Sequence, residues 1–152
     1  MMWFQCFPIP APKRRAWVHW DGLVRRVDAI EGRVGDALVE AAALSHPMAL
    51  MGWLEWDMAV EPFDMRAMEK YAQQRPESPV TAVYNIYEPG TLKHHELDHG
   101  LGCAVLPVDL ILKNEAIIRH KVRYPFTDVQ LWQIIGRPRV LAACRPKHLH
   151  WG

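Results

Sequence analysis

Two carboxylates, Glu55 and Asp57, close the apolar run Met48 to Trp53 in the passage MALMGWLEWDMAVEP. On a strand they would share one face. Two acids at a strand end can hold a hard cation such as Mg²⁺ or Mn²⁺ through oxygen. Asp57 is the expected metal ligand, with Glu55 helping through water or a ribose contact. His148-x-His150 offers two imidazoles on one face of an extended tail. Either histidine would complete the site, and Mn²⁺ tolerates imidazole better than Mg²⁺ does. Thr127, with Gln130 three residues on, has the spacing of a capping box. Asp128 at that helix start is the candidate base for a hydroxyl proton, although an acid in a first turn also stabilises a helix by itself.

A different chemistry is written in His95-Glu96-Leu97-Asp98-His99. The spacing matches HExxH, in which two histidines on one helical face bind zinc and the glutamate activates water. It resembles the motif of gluzincin and metzincin peptidases and, with Asp98, that of peptide deformylases. The resemblance implies a zinc-dependent hydrolase with His95 and His99 as ligands and Glu96 as base. Pro89-Gly90 upstream and Gly100 and Gly102 downstream confine any helix to barely two turns. Val105 stands where the third metzincin histidine would fall, and no segment supplies a deformylase-like cysteine ligand. Without zinc, the stretch reads as a polar loop over the sheet.

A longer series of passages resembles the GT-A glycosyltransferases. Asp57-Met58-Ala59-Val60-Glu61-Pro62-Phe63-Asp64 looks like their passage from the acidic pair into the next helix. Pro79-Val80 to Tyr87 looks like their following strand, and Gly102 to Pro107 like their glycine-rich acceptor-side segment. Thr127-Asp128-Val129 resembles their acidic helix start, and Lys147-His148-Leu149-His150 their closing strand. The resemblance runs from about Gly35 to the C-terminus. It implies a single reduced GT-A-like, Rossmann-like domain over residues 1–152 that binds a nucleotide-sugar donor. Mn²⁺ or Mg²⁺ would sit on Asp57 and His148 or His150, Glu55 and Asp57 would meet the donor, and Asp128 would receive the proton of a hydroxyl acceptor. The chain departs from the pattern at Glu55, where the family has aspartate, and at Thr127, where it often has glutamate. A non-catalytic binding protein on a degenerate fold of this type is the third expectation.

The elements that must position these residues are strand-like and helical runs in alternation. Trp3 to Phe7, Met48 to Trp53, Val80 to Tyr87, Cys103 to Leu106 and Arg139 to Cys144 read as strands. Asp36 to Leu44, Phe63 to Gln74, Pro107 to His120 and Val129 to Ile135 read as helices, with Asp36 as a cap and Gly136 as a stop. Ala16 to Ile30 is ambiguous, with Trp17, Trp20, Leu23, Val24 and Val27 near helical spacing. The order predicts one compact α/β domain, a mostly parallel sheet flanked by helices, with Leu50, Trp53, Val83 and Ile86 buried.

Composition sets the remaining bounds. With 152 residues, half of them apolar and 23% charged, the chain can build a real core. A formal net charge of +1 gives no footprint for nucleic acid. Cys6, Cys103 and Cys144 are odd in number and far apart. That argues against a disulfide framework or structural zinc and for a reducing, cytoplasmic setting. The apolar N-terminal patch precedes Lys13-Arg14-Arg15, the wrong order for a secretory signal. No apolar run is long enough to span a bilayer.

Overall fold

The computed structural model describes residues 1–11, 24–87 and 94–148. Lys13-Arg14-Arg15, Glu88-Pro89-Gly90 and His150 lie outside the described residues. Strand β1 (Met2–Ile9) is followed by β2 (Arg25–Ile30), helix α1 (Val34–Ser45), β3 (Leu50–Glu55), β4 (Met58–Ala59) and α2 (Pro62–Gln73). Then come β5 (Val80–Ala82), β6 (Tyr84–Tyr87), β7 (His94–Leu97) and β8 (Cys103–Pro107). Helices α3 (Val108–Lys113), α4 (Glu115–Lys121) and α5 (Thr127–Ile135) precede β9 (Arg139–Leu141) and β10 (Lys147–His148).

Six strands form one sheet in the order β2-β1-β3-β8-β5-β9. β1 pairs in parallel with both β2 and β3, and β5 with β9, while β8 runs against β3 and β5. The sheet is therefore mixed and mostly parallel. β4 with β10 and β6 with β7 make two small antiparallel ribbons. Among the described residues, no helix is long and apolar enough to cross a membrane.

Apolar residues cover both faces of the central strands, and alternation decides which core each one joins. Phe4, Met51, Trp53, Ala104 and Leu106 meet α1, α3, α4 and α5 on one face. Trp3, Leu50, Leu54, Cys103 and Val105 meet Met65, Met68 and Ala72 of α2 on the other. Leu50, Trp53 and Val83 are buried as expected, whereas Ile86 is half-buried because β6 has left the main sheet.

Gly52 shows how tightly the α2 face is closed. A methyl group added there would lie 2.0 Å from Trp3 Cδ2. The Trp3 indole also donates from Nε1 to Glu69 Oε1 of α2 at 2.7 Å, so the ring is anchored at its far end. We expect Gly52→Ala to destabilise the protein by about 1–3 kcal/mol, the usual cost of overpacking. The measurement is a urea midpoint; an unchanged midpoint would mean that the ring steps aside freely.

Several boundaries differ from the sequence reading, each for a local reason. The ambiguous stretch ends in a strand, β2, whose Val27 and Ala29 point inward in strict alternation. Val80 to Tyr87 divides at Val83 into two strands of different sheets. Pro107 to His120 breaks at Asn114, whose Nδ2 donates to the Leu110 carbonyl at 2.8 Å and competes with the helix ladder. α1 begins before Asp36, which sits in the first turn with Arg33 and Arg119 beside it and does not cap. The Thr127 capping box does not form either. Phe126 occupies the cap position, and Gln130 Oε1 accepts the Arg123 backbone N–H instead.

Candidate metal centre

β3 delivers Glu55 to its C-terminal end, on the face shared with Met51 and Trp53. The strand stops there. Trp56 and Asp57 form a turn into β4, so the two acids meet through that turn and not along one strand face as the sequence suggested. The buried Gln5 amide lies under this turn, with long contacts to the carbonyls of Glu55 at 3.5 Å and Trp56 at 3.4 Å. β10 then pairs with β4, His148 opposite Met58, which carries the late histidine to Asp57. Glu55, Asp57 and His148 each offer a ligand atom, all within 4.8 Å of one another. This group could hold a metal ion.

The electrostatics fit a cation. His148 Nε2 lies 2.6 Å from Asp57 Oδ2. Asp57 is buried, and among the described residues its Oδ1 has no hydrogen-bond partner. An unpaired buried carboxylate oxygen is costly unless something positive meets it. Burial works against a charged His148, but the Asp57 hydrogen bond and the charges of Asp57 and Glu55 outweigh it and raise its pKa. Glu55 is pushed up to about 7, first by burial, then by Asp57 and less by Asp128, with His148 opposing. Two carboxylates and an imidazole are hard-to-borderline donors, a set that divalent cations accept. The negative charge of Asp57 that would attract a cation also favours the protonated forms of His148 and Glu55.

Tyr84 packs behind the group, its ring 5.7 Å from that of His148 and tilted to it. Its hydroxyl accepts the Gly102 backbone N–H at 2.9 Å. Burial and then the Glu55 charge raise the phenol pKa, so it stays protonated. A methyl group at Gly102 would fall 2.7 Å from that hydroxyl, which is why the approach to β8 is made of small residues there. Gly102 in turn accepts the Glu55 N–H through its carbonyl at 2.9 Å. Gly102, the first residue of the glycine-rich segment Gly102 to Pro107, thus accommodates a tyrosine of the preceding strand passage.

A cavity of about 480 Å³ opens beside Glu55. Its walls come from the C-terminal ends of β1, β2 and β3, where ligands bind in open α/β sheets. Trp53, Trp56 and Tyr124 give it aromatic surface, and Glu31 and Glu55 give it carboxylates. Glu31 has a positive φ of 53°, an uncommon backbone for a non-glycine residue and a frequent mark of functional turns. Glu31 follows the stretch Ala16 to Ile30 that is ambiguous in sequence, where nothing marks it as a site residue.

The other expected residues fall elsewhere. Asp128 lies in the first turn of α5, its Oδ1 accepting the Val129 N–H at 2.8 Å. It is near enough to raise the Glu55 pKa but is not one of the three clustered ligands. Thr127 is buried and lines the cavity. His95 and Glu96 are exposed on β7, so the helix that the HExxH geometry needs is not formed. Glu96 is ion-paired with Arg145, and His99 Nδ1 lies 2.9 Å from Asp98 Oδ1.

No protein-family model matches this chain, and no curated protein matches it. Its fold is similar to that of A197 from STIV, a crystal structure, with a TM-score of 0.60 and 12% identity. The match covers 99% of this chain and 87% of that one. At that identity the likeness concerns the fold alone.

Proposed function

We propose that this protein is a metal-dependent glycosyltransferase of GT-A type, moving a sugar from a nucleotide-sugar donor to an acceptor hydroxyl. The observation that carries the reading is Asp57. One of its oxygens is held by His148 and the other is buried without a partner among the described residues, in a group next to a cavity of about 480 Å³. The ordered passages that resemble GT-A enzymes, from Asp57 to His148, support it further.

Asp57 and His148, with Glu55, would hold Mn²⁺ or Mg²⁺, and the bound cation would supply charge to offset the diphosphate leaving group as the glycosidic bond breaks. The chain's own residues do the rest. Trp56 and Tyr124 offer aromatic walls to a base, and Glu31 offers a carboxylate acceptor to ribose hydroxyls. Asp128 would take the acceptor proton, its carboxylate steadied by the Val129 N–H. Thr127, a buried hydroxyl where these enzymes often carry glutamate, favours a second reading, a binding protein that no longer turns over its ligand.

The test is a thermal-shift panel of UDP-, GDP-, ADP- and dTDP-sugars with and without Mn²⁺. One nucleotide should stabilise the protein only when the metal is present, by roughly 5–10 °C at about 100 times Kd. No shift with any member would overturn the donor assignment. A shift without donor turnover would select the binding protein.

A further inference from the structure

A groove of about 710 Å³ lies between α4 and α5, apart from the Glu55–Asp57–His148 group. The loop joining these helices carries Tyr124 and Phe126, which are 76% and 64% exposed, and Ile117 and Val129 flank it, also exposed. Single exposed apolar residues are ordinary, but four around one loop need a reason. His120, Lys121 and Arg123 line the same groove, and among the described residues no carboxylate does. On α4, Glu115 is engaged by Arg119 at 3.1 Å, which also takes Asp36 of α1 at 3.3 Å, and on α5 Asp128 accepts the Val129 N–H at 2.8 Å. Lys121 and Arg123 have no carboxylate partner among the described residues.

We propose that this loop docks the protein onto an anionic lipid bilayer, lying on the surface without crossing it. Aromatic rings beside cations suit the headgroup region, where the ring body meets acyl chain and the cations meet anionic lipid. A net charge of +1 argues against nucleic acid as the occupant. Two protruding rings argue for a surface that yields to insertion over a rigid acidic protein. Tyr124 also lines the cavity beside Glu55, so docking brings the cavity mouth to the bilayer. The inference goes beyond the transfer reaction and stands without it, since it concerns where the protein sits.

The test is sedimentation of the full chain with vesicles of phosphatidylcholine, alone or mixed with phosphatidylglycerol. The bound fraction should be low on neutral vesicles, high on anionic ones, and should fall as salt is raised. Lys121→Glu combined with Arg123→Glu should weaken binding to anionic vesicles by roughly 30-fold or more. Phe126→Ser should weaken it as well with an unchanged melting temperature, because the ring is mostly exposed. Equal binding to both vesicle types, no binding, or binding untouched by these substitutions would overturn the proposal. So would a dimer in the absence of lipid that Phe126→Ser converts to monomer, which would make the face a contact between copies. Sugar transfer is not read in this assay, so its failure leaves the reaction assignment standing.

Discussion

Asp57→Asn is expected to lower metal-dependent sugar transfer by roughly 10²–10³-fold while the protein stays folded. Lewis-acid stabilisation of a departing oxygen is worth several kcal/mol, and each ~1.4 kcal/mol is ten-fold in rate. The substitution keeps the shape of the side chain and removes its charge. His148 then loses the anion that raises its pKa, and the imidazole should titrate lower in an NMR pH series. Two effects on stability oppose each other. The hydrogen-bonded pair with His148 is weakened, but Glu55 is relieved of the repulsion that helps push its pKa up. Circular dichroism should therefore still report a native fold. Transfer that survives within two-fold would remove Asp57 from the reaction.

In the absence of metal, the protein should lose stability as pH rises from about 5 to about 8, chiefly through Glu55. Its folded-state pKa is raised from 4.5 to about 7 by burial and by Asp57. The folded state therefore binds the proton more tightly than the unfolded chain does. The contribution is fully present below the unfolded value and is lost as pH passes the folded one. The difference corresponds to roughly 3 kcal/mol, or about 6–12 °C in melting temperature at this size. His148, also raised, acts in the same direction: its stabilisation is present at low pH and lost as pH rises through its folded value. Melting curves in EDTA across that window should show the fall, and Glu55→Gln should remove most of it. Adding Mn²⁺ at the upper end should restore stability, because the cation takes over the role of the protons. A Glu55→Gln variant with the wild-type slope would assign the pH dependence to other groups.

The acidic strand end was legible because β3 is an apolar run that ends in carboxylates, a contrast strong in any window. The same run concealed its own facing. Leu50, Met51, Trp53 and Leu54 are all apolar because both faces are covered, so polarity alone could not assign them to the two cores. β2 was hidden for the opposite reason. Only Val27 and Ala29 mark its inward face, and the residues upstream repeat at helical spacing. With β2 went Glu31, and with it the cavity wall. Val80 to Tyr87 reads as one strand by propensity, but β5 stays in the main sheet while β6 pairs with β7, and the Val83 N–H between them goes to the Cys144 carbonyl. The HELDH passage shows the reverse case, a spacing with chemical meaning only on a helix, set here at a strand. The basic aromatic loop escaped notice because a net charge near zero averages over a local excess.

Mn²⁺ is the sharpest probe of whether Glu55, Asp57 and His148 together bind one divalent cation. Binding can be counted by electron paramagnetic resonance, and nitrogen coupling to the bound ion reports an imidazole ligand. One Mn²⁺ per chain is expected, with a nitrogen coupling that disappears in His148→Gln and loss of tight binding in Asp57→Asn. Unchanged Mn²⁺ affinity in both variants, or no bound Mn²⁺ even with saturating nucleotide sugar, would contradict it.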